Sequence, residues 1–106
     1  MRLRWNRGDM SAEPPLLVFF TDPRSGPGRR MESLLAHLAR KERDRLRIQY
    51  VDVERRPDLV RLLQVEAVPT LLLIKDRRVV GRLEGRASSP RIQQLLEPHL
   101  ETALVA

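Results

Sequence analysis

Apolar and polar positions along the chain follow two different periods, and these periods predict its elements. Residues 16–21 read LLVFFT, a continuous apolar run that Asp22 and Pro23 close. A short apolar run bounded by turn residues is typical of a strand that is buried on both faces. The pattern therefore predicts a central strand here.

The segment after this strand has the period of a helix. Met31, Leu34, Leu35 and Leu38 lie at i, i+3, i+4 and i+7, so they share one helix face. Ser25 is a suitable N-cap because its hydroxyl can accept from an unpaired backbone N–H. We expect the helix to begin there, to bury this face and to end near residue 43.

The rest of the chain alternates strands and short helices. The predicted elements are a strand over 46–53, a helix opened by Pro57, strands over 71–75 and 79–84, and a last helix that begins near Ser88 or Ser89. The apolar positions of the two helices are Leu59, Val60, Leu62, Leu63, Ile92, Leu95, Leu96 and Leu100. We expect these side chains to be buried against the sheet.

The element order is β-α-β-α-β-β-α, which predicts an α/β fold with a mixed four-stranded sheet flanked by helices. The helical crossover makes the first two strands parallel, and the closing hairpin is antiparallel. We expect one domain over residues 15–103. Residues 1–14 show no period and are expected to be a mobile tail.

Composition excludes several kinds of chemistry. The chain has no cysteine, so it can form neither a disulfide nor a thiolate nucleophile. Its two histidines, His37 and His99, lack the spacing of a metal pair, and we expect neither a metal site nor a cofactor. No apolar run approaches the roughly 20 residues of a membrane span, so we expect no membrane partner and a cytoplasmic location.

The net charge is +6, and arginine supplies most of the positive charge, with 18 Arg and 2 Lys. Arginine suits phosphate, which makes a nucleic acid a candidate partner. However, a GC-rich bacterial genome also produces an excess of arginine, and the basic residues are interspersed with 14 acidic residues. Only four aromatic residues are present for stacking on bases, so nucleic-acid binding is the less favoured interpretation.

Two motifs lie next to predicted strands. The first is VFFTDPRSGPGRRM, with Ser25, Gly26, Pro27 and Gly28 at the helix start, and the second is VEAVPTLLLIKDRRVVGRLEG. Together with the element order, these motifs make the chain resemble the thioredoxin family. Ser25 and Gly28 stand where that family carries the two cysteines of C-G-P-C, and the second motif resembles the segment containing the family's cis-proline. The resemblance covers roughly residues 15–100. The alternative interpretation of SGPG is purely structural: the serine caps the helix and the proline fits its first turn.

The departures from the family pattern remove its redox chemistry. That chemistry needs a thiolate at the helix start and a second thiol to resolve the mixed disulfide. Here these positions hold a hydroxyl and a glycine. The resemblance also implies a buried carboxylate and a lysine in the first two strands, and those positions are Phe19 and Tyr50. We therefore expect no disulfide oxidoreductase activity and no catalytic residue.

What the resemblance leaves is a recognition groove between the helix start and the cis-proline. It would be built from Arg24, Gly26, Pro27, Arg29, Ala67, Val68, Pro69, Thr70, Gly85 and Arg86, with the three arginines at its rim. The first hypothesis is a non-catalytic module that binds a peptide or protein partner there.

Two alternatives remain open. Ser25 could stabilise the thiolate of a bound thiol such as glutathione, as in some transferases of this fold. The chain could also be a structural subunit of a larger complex that uses an outer face. The sequence predicts no oligomeric state.

Overall fold

The computed structural model describes residues 14–24 and 26–100, and these form four strands and three α-helices. The strands are β1 (Leu16–Thr21), β2 (Arg47–Asp52), β3 (Thr70–Lys75) and β4 (Arg78–Glu84). The helices are α1 (Gly26–Lys41), α2 (Pro57–Leu62) and α3 (Ser89–Leu96), and a 3₁₀ turn follows over Glu97–His99. The predicted order of elements is confirmed. The expected tail over residues 1–14 lies, apart from Pro14, outside the described residues.

The sheet is mixed and has the order β2-β1-β3-β4. Strand β1 pairs in parallel with β2, and it pairs with β3 in the antiparallel sense. Strand β4 continues the sheet as an antiparallel hairpin with β3. This is the predicted arrangement, because the crossover through α1 makes the first pair parallel and a tight turn at Asp76 and Arg77 closes the hairpin.

Side chains on the two faces of the sheet form two separate core clusters. On one face, alternate strand residues pack against α1 and α3; the buried members are Leu17, Phe19, Met31, Leu35, Leu38, Leu46, Leu71, Leu73, Ile92 and Leu96. On the other face, the buried members are Val18, Phe20, Val51, Val65 and Leu72, and α2 covers them. Strand β1 contributes to both clusters, as expected of an apolar strand at the centre of the sheet.

Helix α2 departs from the prediction in one residue. Leu59, Val60 and Leu63 pack against the second cluster, but Leu62 is 73% exposed. The helix has six residues, so only one side of its single full turn can contact the sheet. The expectation that Leu62 is buried was wrong.

The boundaries of the long helices differ slightly from those predicted. Helix α1 ends at Lys41, and Leu34 is 37% exposed because it lies towards a gap between α1 and α3. Helix α3 ends at Leu96, so Leu100 follows the 3₁₀ turn and is not part of the helix. The start of α3 is as predicted: Oγ of Ser88 accepts from the backbone N–H of Arg91 at 3.4 Å.

Candidate functional site

Several loops leave the sheet at one end, and the strand register shows which they are. Phe20 lies opposite Thr70, and Thr70 lies opposite Glu84. The chain that follows β1, the chain that precedes β3 and the chain that follows β4 are therefore neighbours at this end. These are the three segments that the sequence analysis assigned to the groove.

The cis-proline loop, residues 67–69, is held from both sides. The peptide bond between Val68 and Pro69 is cis, as the resemblance implied. Thr70 is fully buried, and its hydroxyl donates to the carbonyl of Ala67 at 2.6 Å. The backbone N–H of Gly85 donates to the carbonyl of Pro69 at 2.8 Å. Gly85 has a φ of +85°, a conformation that glycine adopts without a steric penalty.

Val68 is the outward-facing residue of this loop. Its side chain is 37% exposed, and Ala67 beside it is also exposed. No described residue hydrogen-bonds to the backbone N–H or C=O of Val68. A backbone pair of this kind can accept an added strand, because one residue of an extended chain can satisfy both groups.

The turn before α1 is fixed by a small charged network. Oδ1 of Asp22 accepts from the backbone N–H of Arg24 at 3.0 Å and from its Nε at 3.3 Å. The Nη2 of Arg24 also forms an ion pair with Glu54, in the loop after β2. The hydrogen bond from the backbone of Arg24, followed by the one from its side chain, holds the pKa of Asp22 below its usual value.

This network engages Arg24, one of the three arginines expected at the groove rim. Its guanidinium forms ion pairs with two carboxylates of its own chain, and its place at a groove rim stays a prediction. The sequence carried a signal for the first contact: an Asp two residues before a backbone N–H is the pattern of an Asx turn. The contact with Glu54 spans 30 residues and has no local signal.

The remaining predicted site residues fall into three groups. Arg29 and Arg86 are exposed and form no ion pair with another described residue. Gly26 is the first residue of α1, Pro27 follows it, and Gly28 is buried. Ser25, with its predicted N-cap and thiol-binding roles, lies outside the described residues. The arrangement of all these residues as one groove stays a prediction.

The two positions that the resemblance matches to the family's carboxylate and lysine, buried Phe19 and half-exposed Tyr50, form an aromatic contact. Phe19 and Tyr50 are neighbours in the register of β1 and β2. Their ring centroids are 5.9 Å apart, with an angle of 86° between the planes. Burial, and to a smaller extent the charge of Glu32, raises the pKa of Tyr50. Neither side chain carries a charge near neutral pH, so this pair does not exchange a proton there.

Two further features bear on the kinds of site present. Among residues 14–24 and 26–100, no group of three His, Asp or Glu side chains could hold a metal ion. No helix in the same part of the chain is long and apolar enough to cross a membrane.

Comparisons with known proteins agree with this fold. The thioredoxin family model matches residues 5–98. A thioredoxin-like protein of Synechocystis is 32% identical over 87 residues, which are 82% of this chain and 80% of that protein. Thioredoxin Y of rice, a chloroplastic protein, is 29% identical over 92 residues; the match covers 87% of this chain but 55% of the rice protein.

Solved structures give the same result. The germline-specific thioredoxin Deadhead of Drosophila melanogaster superposes with a TM-score of 0.76 at 21% identity, covering 85% of each chain. Mitochondrial thioredoxin 3 of Saccharomyces cerevisiae superposes with a TM-score of 0.72 at 25% identity, covering 86% of this chain and 85% of that one. With its fold, its cis-proline loop and the extent of the family match, this chain belongs to the thioredoxin family, and it lacks the cysteines on which thiol–disulfide exchange depends.

Proposed function

We propose that this protein is a non-catalytic binding module that holds an extended segment of a partner protein along the cis-proline loop. The observation that carries the proposal is at Val68, a partly exposed residue whose backbone N–H and C=O have no hydrogen-bond partner among the described residues. Ser25, on which the thiol-ligand alternative depends, lies outside the described residues.

Strand addition explains how such a loop recognises a partner. An extended peptide beside Val68 can donate to its C=O and accept from its N–H, which supplies affinity that does not depend on the peptide's sequence. The exposed methyl groups of Ala67 and Val68 then add a small apolar contact. Arg29 and Arg86 are free of ion pairs with other described residues and are available to acidic groups of the partner.

The absence of cysteine changes the character of this binding. A thioredoxin with its cysteines can hold a partner through a mixed disulfide. This chain has none, so it holds a partner only through non-covalent contacts. The complex is therefore expected to be reversible and insensitive to reducing agents.

Selection from a displayed peptide library is the test, with the full chain as the immobilised target. Selected peptides are then measured against two variants, Val68→Asp and Val80→Asp. The two valines are both 37% exposed, but Val80 lies in β4, away from the cis-proline loop. The second variant therefore controls for the introduction of a charge at a half-exposed valine.

Val68→Asp is expected to weaken the selected peptides about tenfold or more, because it places a charge against the backbone of the added strand. Val80→Asp is expected to leave their affinity unchanged. Amide chemical shifts of Ala67, Val68 and Arg86 are expected to move on titration. Peptides that bind both variants equally, or a library that yields no binder, would contradict the proposal.

A further inference from the structure

Among the described segments that lie at the two ends of the sheet, positive charge is concentrated at the end opposite to the cis-proline loop. The register places Leu16 between Arg47 and Ile74, so the segments 40–47 and 75–78 lie at the same end of the sheet. We call these two segments the basic end. They hold eight Lys and Arg against three Asp and Glu. The segments at the other end hold six Lys and Arg against five Asp and Glu. These segments are 22–30, 52–56, 66–70 and 84–86.

Most of these basic side chains form no ion pair within residues 14–24 and 26–100. Arg43, Arg47, Arg77 and Arg78 are exposed, and none forms an ion pair with another described residue. The four strand ends span about 14 Å, from strand spacings of about 4.8 Å. Like charges confined to such a width repel one another and create a positive potential, which an anionic partner relieves.

A cavity of about 170 Å³ opens beside these arginines, between the end of α1 and the end of α3. Its lining residues are Glu42, Arg45, Gln93, Leu96, Glu97 and Leu100. Glu42 is only 6% exposed, and its Oε1 accepts from Nη2 of Arg45 at 2.7 Å and from Nε at 3.0 Å. Leu96 and Leu100 supply an apolar wall next to this pair. The cavity therefore has room for one aliphatic side chain at the margin of a cationic surface.

We propose that the basic end binds an acidic segment of a partner protein, a stretch of Asp and Glu that includes one aliphatic residue. The carboxylates contact the unpaired guanidinium groups, and the aliphatic side chain enters the cavity against Leu96 and Leu100. Arginine suits this ligand because its planar fork can bond a carboxylate bidentately. The surface is separate from the cis-proline loop, so the inference does not rest on the function proposed above.

Three features favour a polypeptide over a nucleic acid. The basic end contains no aromatic side chain on which a base could stack. Asp44 and Asp76 are exposed among the arginines and repel the regularly spaced phosphates of a duplex, whereas a peptide can place an uncharged residue opposite each of them. The cavity admits an aliphatic side chain, which a nucleic acid does not have.

Fluorescence anisotropy with the full chain and a labelled synthetic peptide tests this. The peptide has about ten residues of Asp and Glu with one central Leu, about 33 Å long when extended, which exceeds the width of the basic end. The double variant Arg47→Glu/Arg78→Glu is compared with Arg30→Glu/Arg91→Glu, two arginines near the starts of α1 and α3 and outside the proposed groove. Both make the same change in net charge with exposed arginines, but the second pair lies at the other end of the sheet.

The first pair of substitutions is expected to weaken peptide binding about tenfold, and the second pair less than about twofold. Replacing the central Leu of the peptide by Gly is expected to weaken binding about threefold. Equal losses for the two pairs would overturn the proposal, since net charge alone would then explain binding. Tighter binding of a short duplex DNA than of the peptide would overturn it in favour of a nucleic acid. Circular dichroism confirms that each variant is folded.

Discussion

Gly81 of β4 lies directly against Leu95 of α3. A Cβ atom at position 81 would be only 2.4 Å from Cδ1 of Leu95 and 3.7 Å from Cβ of Leu73. The missing side chain therefore sets how closely α3 approaches the sheet. Because Leu95 packs against the core cluster that includes Phe19, this approach helps to close that cluster.

We expect Gly81→Ala to lower the free energy of unfolding by about 1 kcal/mol, the low end of the usual cost of overpacking, because Cδ1 of Leu95 is the end of a flexible side chain that can shift. The matched control is Gly26→Ala, where a Cβ would meet nothing within 4 Å. Urea denaturation should show this control as neutral or stabilising, since alanine favours a helix. Gly81→Ala in a Leu95→Ala background should cost less than it does alone. Equal effects of the two glycine substitutions would be inconsistent with this packing.

Arg82 closes the carboxyl end of α2 from β4. Its Nη2 donates to the carbonyl of Leu63 at 2.8 Å and its Nη1 donates to that of Gln64 at 3.3 Å. We expect Arg82→Met to lower the free energy of unfolding by about 1 kcal/mol, because carbonyls at a helix end lose charged donors. Arg78→Met is the control, since the Arg78 side chain is exposed and forms no hydrogen bond or ion pair with another described residue. A loss of the same size in both variants would show that the guanidinium of Arg82 has no special role.

Asp58 gives the fold a measurable acid sensitivity. Its side-chain hydrogen bonds from Arg56, at 3.1 and 3.0 Å, lower its pKa from 3.8 to about 2. A carboxylate whose pKa is lower in the folded than in the unfolded state contributes its full stabilisation at pH values above the unfolded-state pKa. That stabilisation is lost as the pH falls through the folded-state pKa. Stability is therefore expected to decrease between pH 4 and 2. Titration of the Asp58 carboxyl carbon by NMR checks the pKa, and Arg56→Gln should return it towards 3.8.

Insulin reduction by dithiothreitol should run at the uncatalysed rate when this protein is added. The reason is chemical: the chain contains no thiol that could attack a disulfide or resolve a mixed one. An ordinary thioredoxin serves as the positive control. Turnover above the background, in protein free of contaminating thioredoxin, would be incompatible with this expectation.

Glutathione should show no saturable binding by calorimetry at millimolar concentration. The expected weakness follows from the site: a single serine hydroxyl would have to stabilise the ligand's thiolate. If binding is seen, the pKa of the bound thiol and its dependence on Ser25→Ala decide the matter. A depressed pKa that returns to the free value in Ser25→Ala would support an enzyme that uses a ligand thiol.

The elements of the sheet could be predicted because their patterns are local. The run of residues 16–21 is apolar on both faces, and burial of both faces requires a central strand. Ser88 and Pro90 together mark the start of α3 within one residue. The exposure of Leu62 was not predictable, because it depends on how a helix of one and a half turns is tilted on the sheet.

The chemistry of the surface was harder to predict because it depends on distant contacts. Arg24 finds Glu54 only after β2 has paired with β1. Glu42 is buried although it belongs to a charged run, since α3 and the 3₁₀ turn cover the end of α1. The basic residues of 40–47 and 75–78 lie far apart in the sequence, and only the pairing of the strands brings them to the same end of the sheet.

The central place of β1 in the sheet has a consequence for synthesis on the ribosome. Leu16 pairs with Arg47, 31 residues later, and Phe20 pairs with Thr70, 50 residues later. By contrast, Lys75 pairs with Arg78 across a tight turn. The free energy cost of loop closure rises by about 0.6 kcal/mol for each doubling of loop length. The hairpin of β3 and β4 therefore closes easily, whereas β1 can pair only after β2 and β3 have been synthesised. The nascent chain therefore carries an apolar strand with two open edges until β2 has emerged, and with one open edge until residue 74 has emerged. During that interval it is most exposed to aggregation.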